Sequence, residues 1–153
     1  MKTLRESILN KNSHLAGEDI VKKSIDDWLT KHTSIEKKYR LDDKYRIEIV
    51  GDIWIHTDEE KFPDFIQFTK VSRNCTIENC PNLISLRGCP HTVGKCFSIY
   101  NCPKLVDLDG CPRIVKDHFY SEKNGRRFSV EEITSRCKVP INKFGEPRIA
   151  TWV

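Results

Sequence analysis

The sequence predicts an α/β repeat solenoid with a parallel β-ladder, a helical N-terminal cap and a small α/β C-terminal cap. Two observations predict this fold class. One apolar pattern recurs every 22 residues between positions 49 and 119, and a fixed period in this range is typical of stacked repeats. Segments with helical or strand-like periodicity flank the repeats on both sides. Stacked repeats need such flanks, because an uncovered end exposes apolar surface and unpaired backbone groups.

Two clean copies of the repeat lie at the centre of the chain. The first reads CTIENCPNLISLRGCP over residues 75–90, and the second reads FSIYNCPKLVDLDGCP over residues 97–112. In both copies the apolar residues occupy offsets 0, 2, 5, 8 and 11. The first two offsets describe a short strand with one buried face. The last three are expected to turn the chain back over the same core.

The register extends into degenerate copies, which gives about four rungs over residues 39–128. Three columns share the spacing of 22 residues: Ile49, Val71, Val93 and Val115; Ile53, Cys75, Phe97 and Phe119; and Ile55, Ile77 and Ile99. In the first rung, Phe62 and Phe65 lie one residue late relative to Leu83 and Leu86. Degenerate terminal copies are expected, because they close the core of a capped stack.

Residues 1–38 are predicted to form the helical N-terminal cap. Residues 2–9 can form a short amphipathic helix, and a second helix is expected from about Gly17 to His32. The second helix has one apolar face, formed by Ile20, Val21, Ile25, Trp28 and Leu29. We expect this face to cover the first edge of the solenoid. The alternating segments 39–41 and 45–49 then predict a hairpin that leads into the first rung.

Residues 129–153 are predicted to form a helix and a hairpin. Ser129 and Glu132 have the spacing of a capping box, which begins a helix that ends near Arg136. Val130 and Ile133 are expected to face the last rung. The segments 137–141 and 148–153 predict a closing hairpin with Gly145 near its turn.

The repeat resembles leucine-rich repeats, in the variant with cysteine at the asparagine-ladder position. The segment LISLRGCPHTVG at residues 83–94, together with MKTLRESIL at residues 1–9, is similar to the short leucine-rich-repeat-like proteins of tailed bacteriophages and prophages. The resemblance implies a short leucine-rich-repeat-like stack and a phage source. It implies no activity, because these proteins share no catalytic motif that could be carried over.

Composition limits the function classes. The length of 153 residues suits one domain, and the net charge of +4 is mild and spread along the chain, which is a weak argument for nucleic acid. Seven cysteines with no signal-like N-terminus favour a reducing compartment. No apolar run approaches membrane-spanning length. We therefore expect a cytoplasmic protein, in the host cytoplasm for a phage product, with no membrane partner and no cofactor.

The cysteines are expected to be structural. Cys80 and Cys102 are repeat-equivalent, as are Cys89 and Cys111, and cysteine fills tight buried positions well. The chain has no Cys-x-x-Cys pair, although zinc sites normally bring their ligands in close pairs. The sequence therefore predicts reduced cysteines and no metal site.

One column imitates a cysteine-protease set. Asp52, Asn74, Cys96 and His118 are 22 residues apart and are expected to line up on the sheet. A flat sheet provides no oxyanion hole, no helix N-terminus for the nucleophile and no pocket that excludes water. A repeat brings any residue types into register, so this column is a weak signal. We therefore predict that the protein is not an enzyme.

The favoured site is the solvent-facing side of the ladder. Six residues are predicted to bind a partner there: Trp54, His56, Glu78, Tyr100, Tyr120 and Glu122. The three aromatic residues would be the anchors, because Trp and Tyr are enriched at binding hot spots. An equally open alternative is that Trp54 and Tyr120 only cover the ends of the stack beneath the terminal extensions.

The predicted function is non-enzymatic protein binding. For a phage protein the partner would be a host protein, such as a defence or regulatory factor whose activity is blocked. One alternative is a nucleic-acid-binding accessory protein that uses the basic segments Lys37–Lys38 and Lys123–Arg127. Another is a virion or assembly component. The oligomeric state is left open.

Overall fold

The computed structural model describes residues 14–35, 39–121 and 128–151. They form a β-solenoid of about 3 turns with parallel ladders, an N-terminal helix and a small C-terminal helix, which confirms the predicted repeat solenoid. Four sequence predictions lie outside the described residues: the helix at 2–9, the basic pair Lys37–Lys38, the binding residue Glu122 and the basic segment Lys123–Arg127.

The described residues contain two helices and eleven strands. In chain order they are α1 (His14–His32), β1 (Thr33–Ile35), β2 (Tyr39–Leu41), β3 (Ile47–Ile49), β4 (Ile53–Ile55), β5 (Phe68–Val71), β6 (Cys75–Glu78), β7 (Thr92–Val93), β8 (Phe97–Tyr100), β9 (Ile114–Val115), β10 (Phe119–Ser121), α2 (Val130–Arg136) and β11 (Ile149–Thr151). One sheet has the order β1-β4-β6-β8-β10-β11, and the other has the order β2-β3-β5-β7-β9.

The 22-residue spacing is the strand register of the solenoid. Cys75 pairs with Ile53 on one side and with Phe97 on the other, and Phe97 pairs with Phe119, all in parallel strands. These pairs confirm the predicted column. Every turn also contributes a strand to the second sheet, where Val93 pairs in parallel with its equivalents in neighbouring turns. The second sheet was not foreseen, because strands of two residues are too short to show an alternating pattern.

The core lies between the two sheets. The inward residues of the central turn are buried, and the rings of Phe97 and Phe119 pack edge to face with centroids 5.2 Å apart. The degenerate first turn also contributes to this core. Phe62 is buried and packs edge-on against Trp28 of α1, at 5.5 Å between ring centroids. Apolar burial therefore continues from the solenoid into its N-terminal cap.

Helix α1 begins three residues earlier than predicted and ends at the predicted His32. Four of its five predicted apolar residues are buried: Val21, Ile25, Trp28 and Leu29. The prediction for Ile20 was wrong, because this side chain is 41% exposed. Adjacent helical positions differ by about 100° in direction, so Ile20 points away from the stripe. Neither helix in the described residues is both long and apolar enough to cross a membrane.

The first edge of the six-stranded sheet is covered by strand β1, which follows α1 directly and pairs antiparallel with β4. This strand satisfies the backbone groups of the edge, while the apolar face of α1 packs on the core. The predicted hairpin is also present. Strands β2 and β3 pair antiparallel from Tyr39 opposite Ile49 to Leu41 opposite Ile47, which confirms the interpretation of this segment.

The helix of the C-terminal cap agrees with the helix that the sequence predicts. Ser129 accepts a hydrogen bond from the Glu132 amide, and the Glu132 side chain accepts one from the Ser129 amide. Both bonds of the predicted capping box are therefore present. Ile133 is fully buried against the last turn, as expected. The prediction for Val130 was wrong, since it is 45% exposed in the first turn of α2.

The predicted closing hairpin is confirmed only around its turn, which contains Gly145. Ile141 bridges antiparallel to Pro147, the Arg148 amide donates to the Pro140 carbonyl at 2.9 Å, and the Asn142 amide donates to the Glu146 carbonyl at 2.8 Å. The outer segments pair differently from the prediction: strand β11 pairs in parallel with β10, and Lys138 bridges in parallel to Ile114. Pro140 and Pro147 lack the amide hydrogens that a regular hairpin ladder needs. The open edge of the parallel sheet provides better partners for these segments.

Candidate interaction surfaces

The ladder face is the outer surface of strands β4, β6, β8 and β10. The parallel register places Trp54, Thr76, Ser98 and Tyr120 in one row across these strands. The next row contains Glu78 beside Tyr100, with His56 directly after β4. The structure thus brings five of the six predicted binding residues onto one surface. The sixth, Glu122, lies outside the described residues.

Exposure differs along the ladder face. Tyr100 is 42% exposed in the interior of the stack, and His56 is also exposed. Trp54, Glu78 and Tyr120 are half-buried. Ser98, between the two outer aromatic residues, is only 5% exposed. The surface is therefore a set of bulky side chains that stand beside small, sheltered ones.

The two ends of the stack do not lie at Trp54 and Tyr120. Strand β1 places Ser34 beside Trp54, and strand β11 places Ala150 beside Tyr120. The terminal segments therefore extend the sheet sideways, and both rings stay partly exposed. This arrangement favours the interpretation of these residues as a surface over their interpretation as end covers.

A shallow depression of about 530 Å³ continues the ladder face towards the C-terminal end of α1. It is lined by Lys31, His32, His56, Thr57, Asp58, Glu78, Asn79 and Pro81. Two predicted binding residues, His56 and Glu78, belong to this lining. The depression mixes one lysine with two carboxylates, so it suits polar and charged groups of a partner.

The turns that follow strands β6 and β8 are held by equivalent side-chain hydrogen bonds. Asn79 and Asn101 both have positive φ, at 53° and 55°. The side-chain nitrogen of Asn101 (Nδ2) donates to the side-chain oxygen of Asn79 (Oδ1) at 2.9 Å. The Cys80 thiol donates to the carbonyl of Glu78, and the Cys102 thiol donates to that of Tyr100. A hydrogen bond with the Cys102 thiol lowers the pKa of Cys80. These contacts fix the end of each ladder strand.

The corner between the two sheets contains the column that resembles a protease set. The first half of this column is structural. Asp52 accepts a hydrogen bond from the Asn74 amide at 2.8 Å, and Asn74 accepts one from the Cys96 amide at 3.0 Å. Each side chain therefore supports the backbone of the following turn.

The second half of the corner forms a cluster of Cys96, Asp117 and His118, which we call the corner cluster. One candidate ligand atom from each residue lies within 4.8 Å of the other two. His118 Nδ1 is 2.6 Å from Asp117 Oδ1, and the His118 ring stacks on Tyr120 at 5.6 Å. Burial, reinforced by the nearby Cys96 and Asp117, raises the pKa of Tyr120. Sequence reasoning missed Asp117, because it lies one position outside the 22-residue column.

A second concave surface, which we name the arginine cleft, lies against the repeat loops that precede β7 and β9. Its volume is about 700 Å³, and its charged lining consists of Arg46, Arg87, His91, Asp109, Arg113 and Arg136. Arg87 and Arg136 share Asp109, at 3.2 Å and 3.9 Å. Arg113 makes no ion pair with any described residue. Arg46 is paired with Asp42 at 2.7 Å, and the remaining three arginines against Asp109 make the cleft cationic.

Sequence reasoning did not find the arginine cleft. Its arginines come from the turn before β3, two repeat loops and α2, so no local basic run marks it. One repeat signal was present, because Arg87 and Asp109 are 22 residues apart, as are His91 and Arg113. Comparison with protein families, curated proteins and solved structures finds no match to this chain.

Proposed function

We propose that the protein is a non-enzymatic protein-interaction module that binds its partner through the ladder face. The observation that carries this proposal is the position of Tyr100. It lies in an interior turn of the stack and is nevertheless 42% exposed. Tyr120 stands on the neighbouring strand β10, and Trp54 stands two strands away on β4. Trp and Tyr dominate binding hot spots, because they bury a large area at a small cost in conformational entropy.

The dimensions of the ladder face suit a protein partner. Neighbouring strands are roughly 4.8 Å apart, so Trp54 and Tyr120, three strands apart, span about 14 Å. The strand ends are held by the hydrogen bonds of the asparagine and cysteine turns. A surface that is rigid before binding loses little entropy when the complex forms. Solenoids commonly bind through such an extended face, since each turn contributes one row of side chains.

The identity of the partner class rests on the sequence resemblance to short phage leucine-rich-repeat-like proteins. On that basis the partner is a host protein, such as a defence or regulatory factor, and binding blocks its activity in the host cytoplasm. The ladder face supports this proposal in one respect. It offers aromatic anchors and a depression with mixed charges, which together suit a folded protein surface.

Replacing Tyr100 with alanine is expected to weaken partner binding by more than tenfold, which corresponds to about 1.4 kcal/mol or more. The partner is first captured from host lysate with the unaltered protein and identified by mass spectrometry. Affinity is then measured with the purified partner by calorimetry. Phe144→Ala is the matched control, because Phe144 is a 75% exposed aromatic residue outside the ladder face.

The Tyr100→Ala protein should melt at the same temperature as the unaltered protein. If it does so and still binds the partner with unchanged affinity, the ladder face is not the binding site. If Phe144→Ala weakens binding as much as Tyr100→Ala does, the interface lies at the C-terminal cap instead.

A nucleic-acid-binding function is the second candidate, and the arginine cleft is the observation that favours it. Arginine pairs well with phosphate oxygens. Phosphate binding in this cleft predicts a steep loss of affinity with rising salt, because counterions are released. Arg113→Gln should reduce the slope of log K against log salt by about one. Arg40→Gln is the control, since Arg40 is exposed and pairs with Glu48 outside the cleft.

Affinity for single- and double-stranded oligonucleotides would be measured by fluorescence anisotropy across a range of salt concentrations. Binding that is insensitive to salt, or a slope that Arg113→Gln leaves unchanged, would exclude phosphate recognition in the arginine cleft.

A further inference from the structure

The geometry points to a divalent metal site in the corner cluster, formed by Cys96, Asp117 and His118, with Zn²⁺ as the cation that fits best. The three residues supply a sulfur, a carboxylate oxygen and an imidazole nitrogen, all half-buried and mutually within 4.8 Å. Thiolate, imidazole and carboxylate are the three side-chain ligand types of zinc in proteins.

The distances allow the cluster to close on a cation. Zinc binds sulfur at about 2.3 Å, and nitrogen or oxygen at about 2.0–2.2 Å, so its ligand atoms lie roughly 3.3–3.7 Å apart in a tetrahedral site. The candidate atoms of the corner cluster are separated by no more than 4.8 Å. Small side-chain rotations therefore suffice, and the backbone of the solenoid corner can remain in place.

The hydrogen bonds around the cluster prepare its residues for coordination. His118 Nδ1 and Asp117 Oδ1 already face each other at 2.6 Å, and Nδ1 carries the proton of this contact because an ionised carboxylate only accepts hydrogen bonds. A cation bound by Nδ1 would replace that proton, since metal binding releases protons from its ligands. Arg148 Nη1 donates to Asp117 Oδ1 at 3.1 Å, which leaves Oδ2 available as the carboxylate ligand.

The charges of the cluster are compatible with a divalent cation. A Cys96 thiolate and the Asp117 carboxylate carry two negative charges, and the Arg148 guanidinium offsets one of them. A bound Zn²⁺ would more than neutralise the remainder. The Cys96 sulfur accepts no hydrogen bond from the described residues, in contrast to Asp52 and Asn74, whose oxygens support the next turn. Its coordination capacity is therefore unused.

Three of the other six cysteines are poor competitors for the metal. Burial raises the pKa of Cys75 to about 12 and that of Cys111 to about 11. Burial likewise raises the pKa of Cys137 to about 12. A thiol ligates zinc as a thiolate, so these side chains resist coordination at neutral pH. Three protein ligands also leave a fourth position open to water or to a donor group from a partner.

Cobalt titration tests the proposal directly. Metal-free, reduced protein is titrated with Co²⁺, and we expect a sulfur-to-cobalt charge-transfer band with intense visible bands at one cobalt per chain. Zn²⁺ should displace the cobalt and raise the melting temperature, because it binds only the folded state. Cys96→Ser should abolish the charge-transfer band. Asp117→Asn should weaken binding by about tenfold or more.

Cys111→Ser is the matched control, since it removes a half-buried thiol outside the cluster and should leave the cobalt spectrum unchanged. His118→Gln provides a second test if Cys96→Ser does not fold. The proposal fails if saturating Co²⁺ gives no charge-transfer band, if the band survives in Cys96→Ser, or if His118→Gln retains full affinity. Tyr100→Ala should keep the cobalt bands, so this result is independent of the proposed partner binding.

Discussion

Replacing Phe97 with alanine is expected to lower the free energy of unfolding by about 3–5 kcal/mol. Phe97 is fully buried in the central turn, and its ring packs against that of Phe119 in the next turn. Its removal deletes buried apolar area and leaves a cavity that two neighbouring turns must share. Denaturant melts followed by circular dichroism would measure the change, from the transition midpoint and slope.

Tyr100→Ala is the matched control for Phe97→Ala, because both positions lie in β8 and lose an aromatic ring. Tyr100 faces solvent on the opposite side of the strand, so its loss should cost less than about 1 kcal/mol. A cost below about 1 kcal/mol for Phe97→Ala would contradict the burial of this column and the strand register that produces it.

Replacing Gly110 with alanine is expected to destabilise the fold by about 2–5 kcal/mol. Gly110 has a φ of +88°, which side chains other than glycine rarely adopt. An added Cβ would also lie 2.4 Å from the Arg87 backbone nitrogen of the preceding turn. The backbone of one of the two turns must move to relieve this contact. Thermal and denaturant melts would measure the loss.

Gly145→Ala separates the strain of a positive φ from the steric contact between neighbouring turns. Gly145 also has a positive φ, of +81°, but an added Cβ there would meet no atom within 4 Å. This control should therefore cost only the conformational strain, about 1–2 kcal/mol. Equal losses for both variants would show that close packing of the turns contributes nothing at Gly110.

The sequence alone determined the features that depend on local or periodic patterns. The 22-residue spacing indicated both the repeat solenoid and the pairing of Cys75 with Ile53 and Phe97. Parallel neighbours in a stack share one register, so the period of the sequence becomes the register of the ladder. The capping box at Ser129 was equally predictable, because all of its hydrogen bonds form within four consecutive residues.

The sequence also predicted which residues share the ladder face, since alternation in β-strands and a fixed register place Trp54 and Tyr120 in one row. Whether this face binds a protein stays a prediction. The strand pairing of the C-terminal segment could be determined only from the tertiary structure. Beyond the short antiparallel turn at Ile141–Pro147, strand β11 joins the parallel ladder, because the edge of β10 provides hydrogen-bond partners there.

Only the tertiary structure brought together the two charged surfaces. The arginine cleft collects side chains from residues 46, 87, 113 and 136, which no window of sequence contains. The corner cluster joins Cys96 to Asp117, which lies one position outside the repeat column. A solenoid corner bends the chain, so residues there leave the strict alternation of the strands. Periodicity could therefore predict the strands of this protein but not the side chains that meet at its corners.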